Sequence, residues 1–186
     1  MGKITFITGG ARSGKSMFAE SLLSGKSDVL FVATARESDE EMKERIARHK
    51  SRRNPSWETI EVYRDFRRAM KDKLKGKGYI LLDCVTILVS SLMVLDSRID
   101  WDSARLEEVD AIEEKIADEV SGFLAIARDF GGETIIVSNE LGMGLVPPNA
   151  LGRNFRDLAG RVNRMIAAEA EVVYFMVSGI PVKIKG

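Results

Sequence analysis

Short runs of β-branched and aliphatic residues alternate along this chain with stretches of three- and four-residue apolar spacing, the pattern of a parallel sheet covered by helices. Residues 4–8, 29–34, 80–83, 134–138 and 172–177 are nearly all apolar, which predicts strands buried on both faces. Residues 57–62 alternate and predict an edge strand. Residues 180–185, after Ser178-Gly179, predict a closing hairpin, and these two segments are expected to flank the core sheet. Residues 79–95 read as a buried strand running into a buried helix, because Asp83, Thr86, Ser90 and Ser91 interrupt them and they fall short of the ~20 clean apolar residues that span a bilayer.

Capping and period place the other helices. Ser38-Asp39-Glu40-Glu41 matches a capping box, and the helix it opens would carry Met42, Ile46 and His49 on one face. Across residues 103–128, Val109, Ile112, Ile116, Val120, Phe123 and Ala127 predict a long amphipathic helix. Its acidic face, with Glu107, Glu108, Asp110, Glu113, Glu114, Asp118 and Glu119, reads as solvated surface. Gly131-Gly132 then turns the chain into the next strand.

At 186 residues, with no internal repeat or low-complexity linker, the chain reads as one domain over 1–186. The 45% hydrophobic and 30% charged residues are the balance of a soluble globular protein rather than a disordered one. Lys plus Arg (28) cancels Asp plus Glu (28), so there is no net field to hold a polyanion, and nucleic acid is not expected as a partner. One cysteine, Cys84, makes neither an internal disulfide nor a zinc cluster and suits a reducing compartment. The first apolar run is too short for an export signal, so a cytoplasmic protein without a membrane span is expected.

Gly9-Gly10-Ala11-Arg12-Ser13-Gly14-Lys15-Ser16 fits G-x-x-x-x-G-K-[ST] between a predicted strand and a predicted helix, the context a phosphate-binding loop requires. Its glycines let successive N–H groups point at phosphate oxygens, and the helix that follows adds the partial positive charge of its N-terminus. Lys15 would reach the β and γ phosphates, facing solvent when they are absent, and the Ser16 hydroxyl would ligate Mg²⁺. Such a loop needs a second carboxylate at the end of a neighbouring apolar strand. Asp83 supplies it, as a metal or metal-water ligand or else as the cap of the helix that follows, since a buried carboxylate is costly without compensation.

These residues imply nucleotide-dependent phosphoryl or nucleotidyl transfer, or hydrolysis. A regulatory GTPase would carry [NT]-K-x-D after a late strand, where this chain reads Val137-Ser138-Asn139-Glu140-Leu141-Gly142. A kinase of some small metabolite and a non-catalytic nucleotide switch both remain open at this point. The one histidine, His49, stands among Arg45, Arg48, Lys50, Arg52 and Arg53, cations that suit a polyphosphate and lower an imidazole pKa toward the neutral, nucleophilic form. The same segment also reads as a packed histidine on a surface helix that pairs with Glu41 and Glu44. Glu140 is either an acceptor-polarising or magnesium-ordering carboxylate or one that stabilises its own turn.

The phosphate-loop string, Val32-Ala33-Thr34-Ala35, Arg45-Ile46-x-x-His49-x-x-x-Arg53 with Trp57-x-Thr59-x-Glu61, the segment from Val137 to Pro147, Arg153-Asn154-Phe155-Arg156-Asp157-x-x-Gly160-Arg161-x-Asn163 and the C-terminal segment from Val177 to Lys185 follow one another in order over nearly the whole chain. Together they resemble the bifunctional adenosylcobinamide kinase/adenosylcobinamide-phosphate guanylyltransferase family of cobalamin biosynthesis. The resemblance implies a P-loop NTPase fold of α/β class, with a RecA-like, mainly parallel sheet flanked by helices, and assembly into a homotrimer. It implies that ATP or GTP phosphorylates a corrinoid hydroxyl, and that GMP then passes from GTP through a guanylylated histidine to the corrinoid phosphate. That histidine corresponds to His49. The nucleotide-binding residues correspond to Gly9, Gly10, Ala11, Arg12, Ser13, Gly14, Lys15 and Ser16, to Thr34, Ala35 and Arg36, to Lys50, Ser51, Arg52 and Arg53, and to Glu61 and Asp83.

Overall fold

The computed structural model of the protein describes residues 1–35, 40, 43, 44, 47, 50, 53–95, 97 and 99–186. Its strands are β1 (Lys3–Gly9), β2 (Val29–Ala33), β3 (Glu58–Glu61), β4 (Tyr79–Asp83), β5 (Glu133–Val137), β6 (Val172–Val177) and β7 (Ile180–Lys185), joined in one sheet of order β3-β2-β4-β5-β1-β6-β7. All neighbours are parallel except β6 and β7, which form the expected closing hairpin. Both flanking expectations hold, with β3 at one edge, alternately half-buried and exposed, and the fully exposed β7 at the other.

Period-two alternation sends the strand side chains into two apolar layers. Ile4, Phe6, Leu30, Val32, Ile80, Leu82 and Ile136 enter one layer, while Ile7, Val29, Phe31, Ala33, Leu81, Ile135 and Val137 enter the other. The first layer is covered by α2 (Phe66–Met70), α3 (Val85–Val94), α4 (Leu106–Asp129) and α5 (Ala150–Glu169), and the second by α1 (Lys15–Leu22) through Ala19. Helix α3 buries seven of its ten residues, so it packs on several sides as an apolar segment must, and its neighbours in the first layer include Phe123 of α4 and Leu158 of α5. The long amphipathic helix is α4, with Ile112, Ile116, Val120, Phe123 and Ala127 buried; Val109 is half-buried against the same core.

Part of α4's acidic face is spent on structure. Glu108 closes a capping box on Arg105, Glu113 pairs with Arg161, and Glu119 accepts from the Asp65 amide. Among the described residues, no helix is long and apolar enough to cross a membrane. Of the helix expected around His49, Glu40, Lys43, Glu44, Ala47 and Lys50 are helical. Its capping residues Ser38, Asp39 and Glu41 and its face of Met42, Ile46 and His49 lie outside the described residues.

Candidate nucleotide site

β1 ends in the interior of the sheet, and residues 10–14 carry the chain from Gly9 into α1, whose first residue is Lys15. Gly9 has φ 147°, and a Cβ there would lie 2.5 Å from the Met176 carbonyl oxygen; Gly14, just before the helix, has φ 91°. Both positions therefore call for glycine. Ser13 N donates to the Gly10 carbonyl at 3.3 Å and Phe18 N to the Gly14 carbonyl at 2.9 Å, closing the turn and opening the helix. The first-turn amides of α1 have no intrahelical partner and lie at the loop, which suits an anion.

Lys15 departs from the sequence expectation. Its side chain is not in solvent: the residue is 6% exposed, Nζ donates to the Gly10 carbonyl at 2.6 Å and reaches Ser13 Oγ at 3.5 Å. Burial pulls its ammonium pKa down, and the charges of Cys84 and Asp83 oppose that shift. A lysine on a loop this tightly curled finds a carbonyl acceptor five residues back before it reaches water.

One row of backbone partners brings the other elements to the same end. Glu61 of β3 pairs with Ala33 of β2, Ala33 with Asp83 of β4, Asp83 with Val137 of β5, and Val137 with Ile7 of β1. Asp83 thus sits level with the strand that feeds the phosphate loop, but not on its immediate neighbour: β5 intervenes, a separation of two strand spacings, ~10 Å. Capping does not explain Asp83, because the N-cap position of α3 belongs to Cys84. Thr34 clamps the ends of β2 and β4, with its Oγ1 donating to the Cys84 carbonyl at 2.7 Å and accepting from Cys84 N at 3.0 Å. Ala35 follows, half-buried.

The end of β5 fills the gap between Asp83 and the phosphate loop. Ser138 N donates to the Ile7 carbonyl at 3.0 Å and Glu140 N to the Gly9 carbonyl at 2.8 Å. Asn139 Nδ2 donates to Thr86 Oγ1 at 2.7 Å, Thr86 Oγ1 lies 3.2 Å from Cys84 Sγ, and Asn163 Nδ2 on α5 donates to the Asn139 carbonyl at 2.9 Å. This polar chain ties the start of α3 and the segment after β5 to α5. Of the two readings of Glu140, the geometry gives the turn: its carboxylate accepts from Gly142 N.

Beyond β2, a cavity of about 540 Å³ opens among Lys50, Arg53, Asn54, Pro55, Trp57, Thr59 and Glu61. Phe31 supports both of its planar groups: Trp57 stacks on it at 6.4 Å between centroids, and the Arg53 guanidinium lies 4.2 Å from the ring centre. Trp57 is anchored by Nε1 donating to the Lys26 carbonyl at 2.8 Å. Lys50 pairs with Glu61 at 2.6 Å. Arg53 Nε is buried without a hydrogen-bond partner among the described residues. Burial pulls the Arg53 pKa down, while Glu61, Asp83 and Glu20 hold it up.

The structure therefore brings Gly9 to Ser16, Thr34, Ala35 and Asp83 to one end of the sheet, with Lys50, Arg53 and Glu61 at the cavity further along the same edge. His49, Arg36, Ser51 and Arg52 lie outside the described residues. Three contacts could not be read from the sequence, although Asn163 and Gly179 stand in segments it singled out. Thr86 meets Asn139, Asn163 holds the Asn139 carbonyl, and Gly179 N donates to the Ser13 carbonyl at 3.1 Å, so the β6–β7 turn buttresses the phosphate loop.

The profile of the cobinamide kinase / cobinamide phosphate guanyltransferase family matches residues 5–184. The chain is 43% identical to the bifunctional adenosylcobalamin biosynthesis protein CobU of Salmonella typhimurium, over 96% of this chain and 98% of that one. It is 40% identical to CobU of Escherichia coli, with 96% and 98% covered, and 35% identical to CobP of Pseudomonas aeruginosa, with 97% and 96% covered. A KaiC-like protein from Pyrococcus horikoshii has 15% identity and a TM-score of 0.49, over 93% of this chain and 70% of its own.

Proposed function

The chain belongs to the cobinamide kinase / cobinamide phosphate guanylyltransferase family, and on that footing we propose that it carries out both reactions at one nucleotide site. In the first, the aminopropanol hydroxyl oxygen of adenosylcobinamide bonds to the γ-phosphorus of ATP or GTP as the bridge to the β-phosphate breaks, and the hydroxyl proton passes to solvent. In the second, a ring nitrogen of His49 bonds to the α-phosphorus of GTP and pyrophosphate leaves. A phosphate oxygen of adenosylcobinamide phosphate then displaces the histidine, giving adenosylcobinamide-GDP. Splitting one difficult transfer into two easier ones is what an imidazole nucleophile contributes.

What supports this reading is the placing of the Gly9–Ser16 loop, Asp83 and the Lys50–Arg53–Glu61 cavity along one edge of the sheet. The loop amides cradle the phosphates, and Lys15 exchanges the Gly10 carbonyl for phosphate oxygens. Arg53, with its buried Nε, presents a guanidinium toward the cavity end. The cations of residues 45–53 in the sequence would favour the neutral, nucleophilic form of the His49 ring. Ser16 and Asp83 are half-buried oxygen donors, and such a hard pair suits Mg²⁺, which takes one or two protein oxygens beside phosphates and water. Bound there, the ion supplies neutralisation of phosphate charge. We further propose a single catalytic domain over 1–186, a homotrimer as in the family resemblance, and the cytoplasm as its compartment, in keeping with one cysteine held as a thiol.

The test is incubation with α-labelled GTP and Mg²⁺ without corrinoid. The protein should take up label that is acid-labile and alkali-stable, faster as pH rises through the imidazole range, ~6.5 for an unperturbed ring. His49→Asn should lose the label and guanylyl transfer while retaining cobinamide phosphorylation. With no second histidine in the chain, a labelled His49→Asn protein refutes the nucleophile.

A further inference from the structure

β2 and β4 end at the same level. Their last paired residues are Ala33 and Asp83, so Thr34 and Cys84 stand just beyond the ladder, where backbone groups need partners other than a strand. One residue supplies them. Thr34 Oγ1 accepts from Cys84 N at 3.0 Å and donates to the Cys84 carbonyl at 2.7 Å, and Thr34 N donates to the Asp83 carbonyl at 3.4 Å. The Cys84 carbonyl also accepts from Leu88 N at 3.3 Å, the opening bond of α3, so the same hydroxyl joins the end of β2 to the start of that helix.

The Thr34 side chain is closed to a ligand. The residue is 1% exposed, the hydroxyl's one proton is committed to the Cys84 carbonyl, and branching at Cβ restricts its rotamers. The family resemblance counts Thr34 among the nucleotide-binding residues, yet its hydroxyl neither reaches the surface nor keeps a proton for a phosphate or a base. What it reaches is the residue that follows Asp83. Cys84 is held from its other side as well, because its Sγ lies 3.2 Å from the Thr86 hydroxyl that accepts from Asn139 Nδ2. The position after Asp83 is therefore gripped between the end of β2 and the segment after β5.

We propose that Thr34 is a positioning residue and not a nucleotide ligand: its hydroxyl fixes the backbone at Cys84 and thereby the direction in which the Asp83 carboxylate meets Mg²⁺. The proposal rests on the reading of Asp83 as a magnesium ligand and deepens it. Mg²⁺ demands near-ideal octahedral geometry, and groups that orient a ligand without touching the metal carry a large share of the affinity. Valine in place of Thr34 keeps the branched shape but removes the hydroxyl. Cys84 N then loses its acceptor, and the backbone after Asp83 is no longer tied to β2 by that side chain.

The experiment measures the affinity of Mn²⁺, standing in for Mg²⁺, for the complex of the protein with GDP, from the loss of the free ion's paramagnetic resonance signal and without turnover. Thr34→Val should weaken Mn²⁺ about tenfold, while Thr34→Ser, which keeps the hydroxyl, should stay within about twofold of the wild-type protein. GDP affinity in EDTA, with no metal present, should be the same in all three. In an Asp83→Asn background Thr34→Val should weaken Mn²⁺ by no more than about twofold further, since nothing is left for it to position. If the valine protein does not fold, Thr34→Ala carries the same comparison. Wild-type Mn²⁺ affinity in the hydroxyl-free protein, with Asp83→Asn weakened, overturns this proposal alone. So does a serine protein as weak as the valine one, a full loss in the Asp83→Asn background, or a fall in GDP affinity in EDTA, which returns Thr34 to the nucleotide. An Asp83→Asn protein that binds Mn²⁺ as tightly as the wild type instead refutes the magnesium reading of Asp83, and this proposal goes with it.

Discussion

Replacing Lys15 with methionine separates the charge that phosphates need from the volume that the fold needs. The side chain is 6% exposed, and methionine matches its length and apolar stem, so packing is kept. The loss is a charge-assisted hydrogen bond to the Gly10 carbonyl, ~1.5–3 kcal/mol, with some attraction to Asp83. The gain is relief from holding an ammonium out of water, a penalty of several kcal/mol before compensation and the same desolvation that lowers the lysine pKa. Gly10 O is not orphaned, because Ser13 N still donates to it at 3.3 Å. Terms of similar size and opposite sign leave stability changed by only about 1 kcal/mol, or ~2–4 °C in melting temperature for a chain of this size. Catalysis has no such cancellation: removing one preorganised donor to developing charge costs ~2.7–4 kcal/mol, ~10²–10³ in kcat. Lys15→Met should therefore melt close to the parent by circular dichroism and lose cobinamide phosphorylation and self-guanylylation together, by that factor. A melting point more than ~8 °C below the parent would make Lys15 a structural residue. A kcat within about tenfold of the parent would remove the loop lysine from the chemistry.

Asp83→Asn should raise the Mg²⁺ concentration for half-maximal activity on the order of tenfold, with a smaller effect on KM for GTP, because a ligand charge is lost while the backbone cradle survives; superimposable magnesium titrations would return Asp83 to a structural role. The Cys84 thiol is pushed up to about 11 by burial, so at pH 8 about one molecule in a thousand carries thiolate, and iodoacetamide should label the native protein far more slowly than the denatured chain. The folded state keeps a proton that the unfolded chain releases near pH 9, so stability should fall between about pH 9 and 11, by on the order of 3 kcal/mol. Cys84→Ser should lack that alkaline loss; parallel stability curves for the two proteins would show that the thiol does not titrate in this window.

What could be read from the sequence was what lies close along it. The phosphate loop is eight consecutive residues whose glycines, lysine and serine have fixed roles, and it stands between β1 and α1 as its spacing predicts. The alternating segment that became β3 and the Ser178-Gly179 turn before β7 are likewise local, and both lie where they were expected. Strand order is not local. Asp83 was expected on a neighbour of β1, and the insertion of β5 between them follows from how crossover helices pack, which no run of residues in β4 or β5 encodes. The same holds for Thr34 clamping Cys84, for Asn163 reaching the Asn139 carbonyl, and for Gly179 reaching Ser13: each is one polar group whose partner is chosen only when the sheet closes. Lys15 failed for a different reason. Its role toward phosphate follows from chemistry, but its resting place is set by competition between water and a carbonyl that the curled loop delivers to within 2.6 Å, and in a site this enclosed the carbonyl wins. On the proposed reading, a lysine that leaves the Gly10 carbonyl and Ser13 Oγ to meet phosphate would give up one short charge-assisted bond and one long contact for several, so the loop would hold its cation in place beforehand and the nucleotide would displace only those two contacts to engage it.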